Sequence, residues 1–271
     1  MSARHGDLAG LAAKASTLVE LHHADTPLLL PNAWDVQSAL TVAEAGFPAV
    51  ATSSSAVAAT LGEKDDDTTD PDVVFDWIRR IARSIEVPLT ADIQAGYGLG
   101  PGEIVERLLA AGAVGCNLED TDHHGPGVLI DLDRQAAFLA EVRAAAEARG
   151  VHLVINARVD SFLRKVGDAD AQLSDGIRRG EAYLAAGADC VYPISLADRE
   201  AIARFVDEVG GPVNIILRRT GLTVPELAAL GVHRVSLGGG LHALATAQLR
   251  ASVEALAAGG TFDDAARAGA G

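Results

Sequence analysis

A closed (β/α)8 barrel folded as one domain is the fold class this sequence predicts, and three observations predict it. Eight short apolar runs rich in Val, Ile and Leu are spread along the 271 residues. Stretches of helical period separate them, and strands that read as continuous apolar runs, each followed by a helix, indicate a parallel sheet covered by helices. No G-x-G-x-x-G follows the first run, as an open dinucleotide-binding sheet would carry.

Taken in order, Asp7 to His23 reads as an extra helix over the barrel floor. The strand runs begin at Leu28 (LLLPNA), Ala49 (AVATSS), Val87 (VPLTADI), Val114 (VGCNLED), His152 (HLVINARV), Asp189 (DCVYPIS), Pro212 (PVNIIL) and Arg234 (RVSLGGG). Helical stretches lie at Val36–Ala45, Pro71–Ser84, Pro101–Ala111, Asp131–Arg149, Ser174–Ala186, Leu196–Val209, Val224–Leu230 and Leu241–Ala258. Four of them end in AGF, AGA, AGA and LGV, where a glycine supplies the left-handed residue of a helix C-cap. The small, polar tail 259–271 is expected to be flexible or to dock on a partner.

Half the residues are apolar (49%), enough for a large core without disulfides. The two cysteines, Cys116 and Cys190, sit inside strand-like runs and read as buried thiols. The net charge of −15 argues against nucleic acid and anionic membranes as partners, because both need basic patches. No secretory leader and no membrane-length apolar run is present, so a cytoplasmic location is expected.

Chemistry in such a barrel sits at the C-terminal ends of the strands. Those ends deliver Asn32 and Asp35; Thr52, Ser53, Ser54 and Ser55; Asp92 and Gln94; Asn117, Glu119 and Asp120; Asn156, Arg158 and Asp160; Tyr192 and Ser195; Asn214, Arg218 and Arg219; and Ser236. Asp92 and Glu119 stand on adjacent strands and can converge on one ion, and all-oxygen ligation suits Mg2+. Arg158 can grip a carboxylate by two hydrogen bonds. The serines, with Asn32 and Asn214, offer donors to a second set of oxygens. Plainer readings stand beside these. Asp92 and Glu119 could simply neutralise Arg158. Asp35 precedes a helix and could be its N-cap. Asp65, Asp66 and Asp67 form a charge run, which is usually solvated. His123 and His124 read as part of a polar loop, since adjacent residues point apart.

PNAWD at Pro31, AGFPAVATSSSAVAATLGEKD ending at Asp65, TADIQAGYG from Thr90, NLED from Asn117, NARVDSF from Asn156 and AGADCVY from Ala186 occur in this order. Together they resemble the isocitrate lyase/phosphoenolpyruvate mutase superfamily, over nearly the whole chain. The resemblance implies a (β/α)8 barrel whose last helix is exchanged between paired subunits, in a homotetramer built as a dimer of dimers. It implies Mg2+ held by Asp92 and Glu119 and a small anionic 2-oxo or 2-hydroxy carboxylate as substrate. Ser53 and its neighbours would hold the carboxylate, Arg158 the substrate oxygens, and Asp65 would lie on a gating loop near the reacting atoms.

The resemblance has gaps. The region after the fourth strand reads TDHHGPGVLID, without the cysteine motif of the isocitrate-lyase-type branches. Thr90 and Gln94 stand where relatives carry carboxylates. The asparagine-bearing gating segment of the mutase branch and its strand-six histidine are absent. The function expected is a Mg2+-dependent lyase that makes or breaks a C–C bond next to a carboxylate, oxaloacetate-like, through an enolate. The alternatives are a phosphonate P–C mutase or hydrolase, with Arg218 and Arg219 as possible phosphoryl contacts, and a non-catalytic 2-oxo-acid binding protein.

Overall fold

The computed structural model describes residues 8–268 apart from 126 and 166. The Arg218 side chain and the last three residues of the expected tail lie outside them. All strand ladders are parallel. One sheet runs β2(Asn32–Ala33), β3(Val50–Thr52), β4(Leu89–Asp92), β5(Gly115–Glu119), β6(Val154–Val159), β7(Cys190–Pro193). The other runs β1(Leu28–Leu30), β9(Arg234–Ser236), β8(Asn214–Ile216). Pro31, which has no N–H to give to a ladder, splits the first expected strand into β1 and β2. β1 pairs with β9 and β2 with β3, while a parallel bridge between Val191 and Val213 joins β7 to β8. The ladder therefore returns on itself, giving a parallel β core flanked by helices.

The helices that cover the core follow their sequence signals. α4(Pro71–Ala82) has Asp70 capping the Asp72 N–H and Pro71 in its first turn, and it buries Val74, Phe75, Ile78 and Ile81. α5(Pro101–Ala111) ends at Gly112, whose φ of 90° few other residues would tolerate. α2(Val36–Glu44), α6(Leu132–Ala148), α7(Ala169–Ala185), α8(Arg199–Val209) and α9(Val224–Ala229) complete the set between strands. Asp35 is indeed an N-cap, joined to Ser38 in a capping box. α3(Ser54–Leu61) was not expected. It begins inside the serine run, so Ser54 and Ser55 stand in a first helical turn rather than on a strand.

α1(Leu8–His22) lies under the barrel. Its Leu18 reaches the start of β5, against the Gly115 backbone. Its His22 meets Arg234 at the start of β9, with Nη1 3.4 Å from Nε2. The barrel interior departs from the usual filling of branched apolar side chains: Thr90, Asn117, Asn156, Asn214 and Arg234 are all buried there. His22 Nδ1 lies 2.7 Å from the Leu18 carbonyl, so it carries the hydrogen and leaves Nε2 to accept from Arg234. Burial, then the Arg234 charge, lowers the His22 pKa to about 4. The last barrel helix, α10(Gly240–Ala257), buries none of its residues on the core. It carries instead α11(Phe262–Ala268), a helix within the tail 259–271, through a Ser252 hydroxyl donating to the Ala265 carbonyl.

Candidate active site

Arg158 is the centre of the mouth. It leaves β6 beside Glu119 of β5, its register partner, and forms an ion pair with it. On its other side Asp160 accepts from Nε at 2.6 Å and from Nη2 at 3.1 Å. Burial works against the guanidinium charge, but Asp160 and Glu119 more than offset this, so Arg158 stays protonated. Asp160 is itself held: the Thr121 hydroxyl donates to it, and its N–H donates to Asp120 Oδ1 at 2.8 Å. Asp120 is anchored in turn by Arg179 and Tyr183 of α7, at 3.1 and 2.7 Å. Burial and the nearby Asp160 push the Asp120 carboxyl up to about 7.

Asp92 ends β4 facing the serines. Its Oδ2 accepts the Ser54 N–H at 3.0 Å, from the first turn of α3. Its own N–H donates to the Thr52 hydroxyl at 2.9 Å, while Oδ1 is buried without a partner. Ser53 and Ser55 share a hydroxyl contact at 3.1 Å beneath the triple glycine. A Cβ on Gly239 would stand 2.9 Å from the Ser55 hydroxyl, so glycine lets that backbone approach. Asn32 is buried with both the nitrogen and the oxygen of its amide engaged. It donates to the Thr52 carbonyl and accepts from the Leu237 and Gly238 N–H groups. It thus ties β2 to β3 and the loop after β9. Asn214 donates to Ser236 at 3.3 Å, deeper in the barrel, and its Oδ1 is unpartnered.

The acidic run is divided in the structure. Asp65 is exposed, as a charge run predicts, and Asp66 is half-buried, but Asp67 is buried, at 1% exposure. Asp67 accepts from the Ala95 and Tyr97 N–H groups at 3.2 and 2.9 Å and meets His124 at 3.0 Å. Its own N–H donates to the Gln94 side chain. Asp67, Gln94 and Tyr97 have φ of 60°, 53° and 56°, a left-handed conformation unusual for non-glycine residues. These three interlocked residues hold the loop after α3 onto the turn after β4. Asp65 is thereby brought towards the mouth. Partial desolvation of its carboxyl near the mouth, then the Asp92 charge, raises its pKa, with Ser54, Arg158 and His123 acting the other way. His123 pairs with the second Glu119 oxygen, which raises its pKa. For Glu119, burial raises the pKa and Arg158 opposes it.

The structure thus gathers Asp65, Asp92, Glu119, Arg158 and Ser53 to Ser55 around one mouth, with Asn32 and Asn214 below as supports. Sequence reasoning gave no role to Asp160, Thr121 or Asp67. The D of NARVDSF, two residues after Arg158, was the available signal for Asp160. Thr90 is buried in the barrel, its hydroxyl without a hydrogen-bond partner. Its hydroxyl lies near the Gly115 backbone, next to Leu18 of the floor helix, two residues below Asp92. Cys116 and Cys190 are buried, and burial pushes both thiols up to about 12, so neither is a proton donor for this site. Among the described residues no group of three or more His, Cys, Asp and Glu forms a metal cage. Likewise, no described helix is long and apolar enough to cross a membrane.

Comparison with known proteins agrees with this fold. The family model described as phosphoenolpyruvate phosphomutase matches residues 18–257. An uncharacterized protein of Mycobacterium tuberculosis is 33% identical over 220 residues, covering 81% of this chain and 80% of that protein. The structure of a candidate phosphonomutase from Burkholderia cenocepacia J2315 superposes with a TM-score of 0.81 at 37% identity, over 89% of this chain and 99% of that one. Phosphonopyruvate hydrolase, solved with oxalate and Mg2+, superposes with a TM-score of 0.78 at 25% identity, over 91% and 88% of the two chains. The chain belongs to the phosphoenolpyruvate phosphomutase family, within the isocitrate lyase/phosphoenolpyruvate mutase superfamily, in a branch without the catalytic cysteine.

Proposed function

We propose that this chain is a Mg2+-dependent enzyme that breaks or rearranges the P–C bond of a small 2-oxo phosphonate. The observation that carries the reading is the pairing, at one mouth, of a fixed Arg158 with the unpartnered Asp92 Oδ1. A buried carboxylate oxygen without a donor fits a cation, and Asp92 with Glu119 would hold one that keeps most of its waters, as Mg2+ does. Such an ion supplies positive charge where an enolate oxygen develops. Arg158 would hold the substrate carboxylate, and the α3 turn at Ser54 and Ser55 would bind the opposite oxygens. When the P–C bond breaks, its electron pair stays on carbon as the enolate, and the phosphoryl group passes to water or to the enolate oxygen. Charge placed in advance at that position lowers the barrier.

The absence of a thiol at the mouth favours this reading over isocitrate-type cleavage, as do the phosphomutase match and the phosphonate relatives. A second reading is C–C cleavage of an oxaloacetate-like acid. It is supported by the same enolate geometry, which for this substrate needs no thiol acid. Subunit pairing through α10 belongs to the proposal as well. The helix is uncovered, with Leu244 and Leu249 each 65% exposed. The test is 31P and 1H NMR of phosphonopyruvate and oxaloacetate incubated with the protein, with Mg2+ and with chelator. Phosphate plus pyruvate, or phosphoenolpyruvate, supports the first reading. Oxalate plus acetate supports the second. Binding without product would leave a 2-oxo-acid binding protein.

A further inference from the structure

Helix α7 reaches the mouth from behind through one buried side chain. Arg179 stands between two carboxylates. Its Nη1 donates to Asp120 Oδ2 at 3.1 Å, and its Nε donates to Asp175 Oδ2 at 3.0 Å. Each carboxylate holds one of two consecutive residues at the end of β6. Asp120 accepts the Asp160 N–H at 2.8 Å, and Asp175 accepts the Ser161 hydroxyl at 2.7 Å. The residues flanking Asp120 complete the hold: Glu119 pairs with Arg158, and Thr121 donates to the Asp160 carboxylate. Arg179 Nη1 also donates to the Ile130 carbonyl at 3.0 Å, and the Ile130 N–H donates to the Asp120 carbonyl at 2.8 Å. The start and the return of the loop after β5 are thereby tied to the same guanidinium.

We infer that Arg179 is the positioning residue of Arg158, and through it of a bound carboxylate. The inference rests on the proposed contact between Arg158 and the substrate carboxylate. Arg179 is buried, and its contacts are protein groups, so it acts through them. Its planar guanidinium bonds along two edges, which sets Asp120 and Asp175 at a fixed separation. A lysine ammonium keeps the charge but is one point on a flexible stem, so it holds one carboxylate or the other. Asp160 carries the consequence. Its backbone is fixed from α7 through the two carboxylates, and its side chain orients Arg158 by two hydrogen bonds. A shift of Asp120 therefore reaches the guanidinium at the mouth. A brace without that link would change stability alone.

The test is a 1H–15N NMR spectrum of the arginine Nε–H groups, together with calorimetric titration of oxalate in Mg2+. The Arg158 signal is the one missing from Arg158→Ala. Arg179→Lys is expected to displace that signal and to weaken oxalate binding about fivefold. Tyr183→Phe removes only a hydroxyl that donates to Asp120, at 2.7 Å, and should displace the signal less and weaken oxalate about twofold. It carries the test if Arg179→Lys does not fold. An Arg158 signal unmoved in the folded variants overturns the inference. Weaker oxalate binding with the signal in place overturns it too, because Arg179 would then act elsewhere. A displaced signal with undiminished oxalate affinity, or no oxalate binding by the wild type, overturns instead the contact between Arg158 and a carboxylate, and the signal then judges the brace by itself.

Discussion

Asp160 holds the Arg158 guanidinium by two hydrogen bonds, at 2.6 and 3.1 Å, from a position that is itself fully buried. The pair is a fork-to-fork contact within one strand end, so Arg158 is oriented before any ligand arrives. Hydrogen bonds to charged groups contribute about 1.5–3 kcal/mol. Asp160→Asn keeps the shape and removes the charge, and should weaken oxalate binding about tenfold. Arg158→Ala should weaken it further, with an unchanged circular dichroism spectrum. Undiminished affinity in Asp160→Asn would mean that Glu119 alone orients the guanidinium.

Asp92 carries the metal proposal, since its Oδ1 is the buried oxygen without a donor. An ion that binds only the folded state raises stability by mass action, about 2.7 kcal/mol at one hundred times Kd. Mg2+ with oxalate should therefore raise the melting temperature of the wild type, and the shift should vanish in Asp92→Asn. An equal shift in the variant would place the ion elsewhere.

Asp67 was expected in solvent and is instead a buried acceptor for two backbone N–H groups. Asp67→Ala leaves both donors buried, which costs about 1–3 kcal/mol each before relaxation. It also removes the restraint on the left-handed Gln94 and Tyr97. Urea unfolding should show a loss of about 2 kcal/mol, and turnover should fall as Asp65 loses its position. Wild-type stability with normal turnover would show that the loop is held by other contacts.

Much of this was legible in the sequence. Strand runs and glycine caps report local physics, and they located the eight barrel strands and the N-cap at Asp35. The convergence of Asp92, Glu119 and Arg158 followed from strand order alone. What the sequence hid was contact across long separations. Asp67 reaches the turn after β4, and Asp160 is fixed through Asp120 from α7. In each case residue type gave the chemistry, while burial and direction came only from the packed barrel. α3 was missed because its serines also suit a strand end, and nothing local shows that Asn32 ties β2 to β3 and to the loop after β9.

His22 makes stability depend on pH in a definite direction. Its folded pKa of about 4 lies below the ordinary 6.5, so the unfolded chain binds the extra proton between those values. The contribution is full above pH 6.5 and is lost as pH falls towards 4. Asp120, held up to about 7, acts oppositely, its contribution fading as pH rises through that value. The difference between wild type and His22→Gln isolates the histidine. Urea unfolding of both proteins at pH 7 and pH 4.5 should show that difference shrinking by about 2.5 kcal/mol at the lower pH. A constant difference would mean that His22 is protonated beside Arg234 in the fold.

α10 is the place to test assembly. It buries nothing on its own barrel, yet Leu244 and Leu249 stand exposed on it, with Val253 and Leu256 further along. Covering one such leucine stabilises by about 1.5–3 kcal/mol, so several on one helix can hold two chains together. Trp34 already stacks edge-on against His242 at 5.1 Å, which anchors the start of the helix beside the mouth. Light scattering should give a mass that is a multiple of 27.9 kDa. Leu249→Asp should lower it, because a carboxylate at a covered position is desolvated without a partner. If the wild type is a monomer at micromolar concentration, α10 does not pair subunits, and its apolar side chains simply face water.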